Sequence, residues 1–286
     1  MNRVDEKQLI IYAQMANLVN VILQWPDLNL KEFACNAHTI CDYELQPLGT
    51  GLYPIISLIN HSCRPNCVLM FEGKRAVVRA VELIPENSEV FISYIETASW
   101  VTTRQKALQE QYFFTCACPR CDAPGENDVV EGNCELESEV REISERVSSN
   151  RIGNRSAIGM YKEVEKRHME SCHPGSLALL GTREKLVKIL MDEKEWSEAL
   201  RYCRLTIPVY EGVYGGIHPL LGLQYYTCGK LEWLLEETEE SVKSLTKAVD
   251  VLRITHGTRL PFVQDLVMKL DEARAEASFK INGGTS

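Results

Sequence analysis

LINHSCRPNC, residues 58–67, is the stretch on which the fold of this chain depends. An apolar run ends there in Asn60 and His61, and Cys63 and Cys67 follow. This is a denser set of hydrogen-bonding and metal-binding side chains than a surface loop needs. A second cysteine-rich stretch, CACPRC, covers residues 116–121. We expect the two stretches to meet in the folded chain.

The spacing of the cysteines predicts a zinc site. Cys116, Cys118 and Cys121 place three sulfur atoms on one tight loop, and a structural zinc takes four ligands, thiolates preferred, at about 2.3 Å. Cys63 is the candidate for the fourth ligand and Cys67 its competitor. The alternative is a set of unrelated buried thiols, but cysteines this closely spaced rarely arise from core packing. Because a closed four-thiolate site has no open position, such a zinc is structural.

Composition excludes some classes of partner. The chain has 286 residues and a net charge of −9, which is not typical of a nucleic-acid binder and is compatible with a basic peptide partner. No signal peptide pattern opens the chain, and the apolar segment 9–25 contains too many amides for a membrane span. We therefore expect no direct nucleic acid or membrane partner and a cytoplasmic or nuclear location. In such a protein the eleven cysteines are free thiols or metal ligands rather than disulfides.

The first part of the chain mixes helix and short strands. Residues 6–24 have the pattern of an amphipathic helix that ends at Pro26,. VLMFEGKRAVVRA, residues 68–80, predicts a hairpin around Gly73, and EVFISY, residues 89–94, predicts a further strand that ends at Tyr94,. Residues 102–112 are helix-permissive and lead into the cysteine cluster. The acidic, turn-rich stretch 125–132 is the best domain boundary.

The second part of the chain is helical in pattern, with a weak internal repeat. A shift of 45 residues superimposes two units of helix, short turn and helix, with turns at Asp192–Glu195 and Glu236–Glu239. Such units resemble tetratricopeptide-type hairpins, whose period is nearer 34 residues. Two units are fewer than such stacks need, so we expect them to pack on further elements. A generic helical bundle explains the pattern equally well.

The motifs together resemble a known family. NHSCRPNC, EVFISY and CACPRC follow the order and spacing of the core of SET-domain lysine methyltransferases. CNAHTICDYELQPLGTGLYPIISLINHSC, residues 35–63, and the helical second half are similar to the SET and MYND domain-containing (SMYD-type) family, particularly its plant members. The resemblance implies an α+β chain with a partial β-rich SET domain, a post-SET zinc site and an all-α tetratricopeptide-like domain. The implied segments are a helical SET-insert region (1–34), SET core (35–97), post-SET zinc-binding segment (98–124), linker (125–155) and helical domain (156–286).

The resemblance also implies the chemistry and the residues that perform it. The expected activity is methyl transfer from S-adenosylmethionine to a lysine of a histone or another protein, with one structural Zn²⁺ and no metal acting on the methyl group. The implied roles are: catalytic, Tyr94; cofactor-binding, Asn36, Ser57, Asn60, His61 and Phe114; substrate channel, Tyr112; zinc ligands, Cys63, Cys116, Cys118 and Cys121. Without the family pattern, the three aromatic residues would be interpreted as core packing and His61 as a structural histidine.

The sequence departs from the family pattern at its start. No Gly-x-Gly strand lies upstream of Asn36, Gly49-x-Gly51 comes too late, and the MYND cysteines are absent before Cys35. We expect an N-terminally truncated member, which is either a piece of an active enzyme or a catalytically dead short form. In the second case the helical domain would be a protein-interaction module, for example for chaperone tails.

Overall fold

The computed structural model describes residues 35–124, 134–171 and 176–283. The region predicted as SET-insert helices, residues 1–34, lies outside them. The strands are β1 (Ala37–Cys41), β2 (Pro47–Leu52), β3 (Asn60–His61), β4 (Cys67–Glu72), β5 (Arg75–Ala80) and β6 (Phe91–Ile92). The helices are α1 (Val101–Gln111), α2 (Pro119–Asp122), α3 (Cys134–Ser148), α4 (Asn154–Ser171), α5 (Leu177–Asp192), α6 (Trp196–Tyr214), α7 (Pro219–Leu234), α8 (Thr238–Thr255) and α9 (Pro261–Gly283), and a 3-10 turn covers Ile56–Leu58.

The strands form small two-stranded sheets. β1 and β2 are antiparallel, with an irregularity between Ile40 and Cys41. β4 and β5 form the predicted hairpin, in which Glu72 pairs with Arg75 and Gly73 has a φ of 62°. A positive φ is readily adopted by glycine and strained for most other residues, which explains the glycine in this turn. The predicted α+β organisation is confirmed.

The third sheet joins two distant segments. β3 pairs in parallel with β6, with Asn60 opposite Phe91 and His61 opposite Ile92, so the strand predicted over 89–94 is only two residues long. Asn66 holds this short pairing in place: its side-chain amide donates to the Glu89 carbonyl at 2.8 Å, and its side-chain oxygen accepts the Phe91 N–H at 2.8 Å. A polar side chain therefore replaces the ladder hydrogen bonds that a longer strand would supply.

The helices stack as consecutive contacting pairs. Helix α3 occupies much of the range predicted as a linker, and its Leu136 and Ile143 are buried in the same apolar cluster as Tyr161 of α4. A second apolar cluster lies among α5 to α9, and Trp100 packs against it from the strand-rich half. None of the described helices is long and apolar enough to cross a membrane.

The helical repeat is 42 residues long, not the 45 predicted from matching residues. The turns after α5 and α7 have equivalent left-handed residues, Lys194 and Glu236, each with a φ of 63°. Each turn is closed by the same main-chain hydrogen bond, from Glu195 N–H to the Leu190 carbonyl and from Glu237 N–H to the Glu232 carbonyl, both at 2.9 Å. The repeat length is therefore set by these two turns. Glycine usually marks a left-handed residue at the end of a helix, and because these two residues are not glycines the sequence did not reveal the true repeat length.

The two halves of the chain are in contact. The ring of Tyr43, in the β1–β2 turn, stacks on Phe262 with centroids 4.7 Å apart. Buried His256 donates from Nε2 to the Tyr43 carbonyl at 2.9 Å. Next to it Gly257 has a φ of +90°, and the Arg79 side chain on β5 lies so close that a Cβ at this position would clash with its guanidinium. The strands and the C-terminal helices are therefore held together by a ring stack, a hydrogen bond from a side chain to the main chain, and this close approach.

Candidate active site and zinc site

The structure brings together the four cysteines predicted as zinc ligands. The Sγ atoms of Cys63, Cys116, Cys118 and Cys121 all lie within 4.8 Å of one another. Cys63 Sγ is 4.0 Å from Cys116 Sγ and 3.6 Å from Cys121 Sγ, and a tetrahedron with bonds of about 2.3 Å has sulfur atoms about 3.8 Å apart. The competitor Cys67 begins β4 and is not a member of this cluster. The donor set fits a closed, structural zinc.

Helix α1 supports the cysteine loop through residues that the sequence analysis missed. Gln105 donates from Nε2 to the Cys116 carbonyl at 2.7 Å and accepts the Cys116 N–H at 2.9 Å. Arg104 is fully buried and its Nη2 lies 3.9 Å from Cys121 Sγ. A guanidinium at this position offsets the negative charge that four thiolates carry in excess of a zinc ion. The pattern over 102–112 predicted a helix, but nothing in it marked a buried arginine.

His61 links the cysteine cluster to Tyr94. Its Nδ1 accepts the Tyr94 main-chain N–H at 3.0 Å, and its Nε2 lies 3.3 Å from Cys63 Sγ. Since burial and nearby Arg104 lower the pKa of His61 to about 4, the ring is neutral, and with Nδ1 an acceptor the proton is on Nε2. The ring therefore donates to the Cys63 sulfur. Both ring nitrogens are occupied, so any cofactor contact of His61 is left to its main chain.

Three predicted aromatic residues lie around His61. The rings of Tyr94 and Tyr112 have centroids 4.9 Å apart, and Phe114 meets Tyr94 nearly edge-on at 6.4 Å and 86°. The Tyr94 hydroxyl donates to the Ile59 carbonyl at 2.5 Å, and the Tyr112 hydroxyl donates to the Tyr94 carbonyl at 3.2 Å. Burial raises the pKa of Tyr94, so this phenol stays protonated. The position of Tyr94 is thus fixed by contacts with Ile59 and Tyr112, which are both remote from it in sequence.

The predicted polar residues fall into two places. Ser57 lies in the 3-10 turn, and its Oγ is 3.3 Å from the carbonyl of Asn36, so these two residues are neighbours. Asn60 is exposed, and its amide donates to a Glu89 carboxylate oxygen at 2.6 Å. An exposed amide in this position can exchange its partner for a ligand.

A cavity of about 400 Å³ lies beside the aromatic group, and the predicted residues Ser57, Tyr94 and Tyr112 line it. This volume is within the range of ligand pockets, about 300–1,000 Å³. His38 also lines it, with Nε2 3.2 Å from Ser57 Oγ, and burial lowers the pKa of His38. His38 was not predicted from the sequence, although it lies only two residues after Asn36 in CNAHTIC.

Comparison with known proteins identifies relatives over nearly the whole chain. A family model described as SET domain matches residues 3–95. The chain is 48% identical to "Histone-lysine N-methyltransferase ASHR1" of Arabidopsis thaliana, over 98% of this chain and 68% of that protein. It is 31% identical to human "Histone-lysine N-methyltransferase SMYD3", over 84% of this chain and 57% of that protein. It is 27% identical to mouse "N-lysine methyltransferase SMYD2", over 93% of this chain and 67% of that protein. The chain therefore spans part of the length of each relative.

Among solved structures, a Podosopora anserina kinesin light chain with TPR-like repeats is similar over 52% of this chain and 67% of that one, with a TM-score of 0.39 and 13% identity. A similarity of this size adds nothing to the description of the helices given above.

Proposed function

Because the chain belongs to the SMYD-type, SET-domain family of protein-lysine methyltransferases, we propose that it transfers a methyl group from S-adenosylmethionine to the side-chain amine of a lysine in another protein. The predicted family is confirmed by the 48% identity to ASHR1. The observation that carries the proposal is the convergence of Tyr94 and Tyr112 on one cavity, with Tyr94 fixed through His61 to the cysteine cluster.

For methyl transfer, the protein has to bind the lysine amine in its neutral form and align it with the methyl group. Lysine has a pKa of about 10.4 in water, and only its neutral form can attack the methyl group. A partly apolar cavity disfavours the ammonium form. The Tyr94 hydroxyl donates its proton to the Ile59 carbonyl, so the lone pairs of the Tyr94 oxygen are available to accept an amine N–H. Most of the lowering of the barrier then comes from alignment.

The cofactor, S-adenosylmethionine, supplies an electrophilic methyl group on a positively charged sulfur. Asn36, Ser57, Asn60, the main chain of His61 and the ring of Phe114 would hold it. Their chemistry fits such a ligand, since they include an exposed amide on Asn60, a hydroxyl on Ser57 and an aromatic ring. In each transfer the amine lone pair forms the N–C bond, the C–S bond breaks with its electron pair staying on sulfur, and the proton lost by the ammonium goes to solvent.

We propose that the zinc ion has a structural role. The four cysteine sulfurs within 4.8 Å of one another would hold one Zn²⁺, which ties the loop after α1 to the segment that carries Asn60 and His61. No catalytic step is assigned to this metal, because four thiolates leave it no open position.

The surface next to the site fits a basic protein partner. Glu96 follows Tyr94 by two residues and accepts the hydroxyl of Tyr214 on α6 at 2.5 Å. Glu96 is exposed, and the chain has a net charge of −9. Both suit a lysine- or arginine-rich peptide such as a histone tail. We place this function in the nucleus or cytoplasm, where such substrates occur.

The test is transfer of tritiated methyl from S-adenosylmethionine to histones and to a library of lysine peptides. The zinc-loaded wild-type chain should label a lysine, and Tyr94→Phe should lower the rate at least tenfold if the hydroxyl aligns the amine. Tyr43→Phe is the matched control, because Tyr43 lies in the β1–β2 turn and stacks on Phe262; it should keep the wild-type rate. A folded wild-type chain that labels nothing would contradict the proposal and favour the interaction-module alternative.

A further inference from the structure

The segment directly after Tyr94 contacts the helical half of the chain. We call this segment, residues 95–100 with the sequence IETASW, the strap. It connects Tyr94 to α1, the helix that supports the cysteine loop. Within the strap, Ala98 and Trp100 pack against the apolar cluster of α5 to α9. The strap therefore lies between the proposed site and the helices.

Glu96 fixes the strap through two hydrogen bonds to one carboxylate oxygen. Its Oε1 accepts the Ala98 N–H at 2.8 Å and the hydroxyl of Tyr214 on α6 at 2.5 Å. Because a carboxylate only accepts, the tyrosine is the donor in the second bond. Burial and the nearby Glu96 carboxylate raise the pKa of Tyr214, so the hydroxyl keeps its proton. One side chain thus closes a turn within the strap and connects the strap to the helical half.

The ring of Tyr214 is itself held by its neighbours on the helical half. It stacks on His218 with centroids 3.8 Å apart and an interplanar angle of 5°. On α6 it also stacks on Tyr210, with centroids 5.7 Å apart at 22°. The Tyr210 hydroxyl donates to Glu184 on α5. Two adjacent tyrosines of one helix therefore have different acceptors, one on the strap and one within the helical half.

Both ends of the strap are fixed at the proposed site. At one end the Tyr94 N–H donates to His61, and the Tyr94 carbonyl accepts the Tyr112 hydroxyl. At the other end the Ser99 carbonyl accepts the guanidinium of Arg104, the buried residue beside the cysteine cluster. Because only six residues separate Tyr94 from α1, a displacement of the strap would also displace the residues at its ends.

We propose that Tyr214 is a positioning residue for methyl transfer: by holding Glu96 it keeps the strap, and with it Tyr94, where the Tyr94 hydroxyl aligns the substrate amine. This inference rests on the proposed function. It makes the helical half a part of the catalytic unit as well as a surface for partners. Tyr214 acts only through the strap, so its loss should slow the transfer step and leave the binding of peptide and cofactor unchanged.

Kinetic analysis of two variants tests the proposal. Tyr214→Phe removes the hydroxyl and keeps the stacked ring; Tyr210→Phe does the same one turn away and is the matched control. Tyr214→Phe should lower kcat about tenfold without a change in KM for a lysine peptide or for S-adenosylmethionine. Tyr210→Phe should keep the wild-type kcat. A wild-type kcat in a folded Tyr214→Phe protein, a change in KM alone, or an equal loss in Tyr210→Phe would overturn the proposal.

A second pair of variants separates the acceptor from the charge of Glu96. Glu96→Gln keeps a side-chain oxygen that can accept both hydrogen bonds, so it should keep kcat and raise only KM for a basic peptide. Glu96→Ala removes the acceptor and should lower kcat as Tyr214→Phe does. Equal kcat values in the two variants would contradict a positioning role for this contact.

Hydrogen exchange of the Tyr94 N–H, resolved by NMR, separates this inference from the proposed function. The exchange rate reports how firmly the Tyr94 main chain is held against His61. It should rise in Tyr214→Phe and stay at the wild-type value in Tyr210→Phe. If the wild-type chain does not methylate but this rise is seen, the proposed function fails and the positioning contact stands. If the rate is the same in Tyr214→Phe and wild type, the inference fails whatever the activity.

Discussion

In the strand-rich half, residues 35–124, segments that are far apart in the sequence are joined by individual hydrogen bonds and sulfur contacts. In the helical half, by contrast, helices that are consecutive in the sequence pack against each other. The Tyr94 N–H bonds to His61, and Cys63 meets Cys116 and Cys121. Among the residues that the structure describes, the apolar cluster at this site has three buried members, two of them cysteines: Cys63, Leu108 and Cys116. The helical half instead contains two large clusters of leucine, valine, alanine and tyrosine.

This difference indicates where each half obtains its stability. Burial of apolar area, at about 25 cal/mol per Å², accounts for the helices without any ligand. The site half has strands of two residues and little apolar core around its cysteines. We infer that a bound metal ion supplies the stability that apolar packing does not supply in this half. Each of the following predictions tests that contrast, beginning with the largest expected effect.

Removal of zinc should affect only one half. Structural zinc binding by small domains contributes on the order of 10 kcal/mol, which is comparable to the whole stability of a typical protein. Chelation should therefore greatly increase hydrogen exchange over residues 59–122, while residues 177–283 keep their protection. Exchange measured by mass spectrometry, with and without chelator, reports both halves in one sample.

A pair of cysteine variants controls for the chelator. Cys121→Ser should lose the bound metal, measured by elemental analysis. Cys41→Ser should keep it, because the Cys41 thiol donates to the Thr39 carbonyl and is not a member of the four-cysteine cluster. Equal loss of protection in both halves, or full metal content in Cys121→Ser, would refute the contrast.

The helical half should respond to packing alone, and two glycines provide a matched pair. A Cβ at Gly229 of α7 would lie 2.7 Å from Leu245 Cγ and 3.1 Å from its backbone nitrogen, whereas a Cβ at Gly181 of α5 would meet nothing within 4 Å. Gly229→Ala should therefore cost about 1–3 kcal/mol through overpacking. Gly181→Ala should gain about 0.5–1 kcal/mol from helix propensity.

Urea unfolding of the two glycine variants measures both changes against the wild-type chain. If Gly229→Ala were neutral or stabilising, the close approach of α7 and α8 would not be a tightly packed contact. Neither variant should alter the metal content, since both lie in the half that needs no metal.

Acid should weaken the helical half through its buried histidines. Burial lowers the pKa of His218 from 6.5 to about 3, so at pH 5.5 the unfolded chain binds a proton there and the folded chain does not. The stabilising contribution is present above about pH 6.5 and is lost as pH falls toward 3. At pH 5.5 the loss is about 1.4 kcal/mol for one such group.

His218→Asn isolates this effect. His218 caps α7 by accepting the Leu220 N–H at 3.3 Å, and asparagine can keep that cap without titrating. Urea midpoints at pH 7.5 and 5.5 should differ less in the variant than in the wild-type chain. An unchanged difference would show that His218 does not contribute to the pH dependence.

The same contrast explains what the sequence could predict. The hairpin at 68–80, the helical second half and the three zinc-binding cysteines of residues 116–121 follow from local patterns and spacing, whereas the choice of Cys63 over Cys67 came from the family resemblance. His38, Arg104 and Gln105 did not emerge, because their roles depend on contacts with distant residues: Ser57, Cys121 and Cys116. The repeat length was misjudged by three residues, since the left-handed turn positions are Lys194 and Glu236 instead of the glycines that usually mark them. The roles of Tyr94, Tyr112 and the cofactor-binding residues came from family resemblance and remain predictions.

The central claim is that these distant residues assemble a cofactor site in this chain, and calorimetric titration with S-adenosylmethionine tests it most directly. The zinc-loaded wild-type protein should bind with micromolar affinity, and Asn60→Ala, which removes the exposed amide beside Glu89, should abolish the heat of binding while leaving the protein folded. A folded, zinc-loaded wild-type chain that gives no heat of binding would contradict the account.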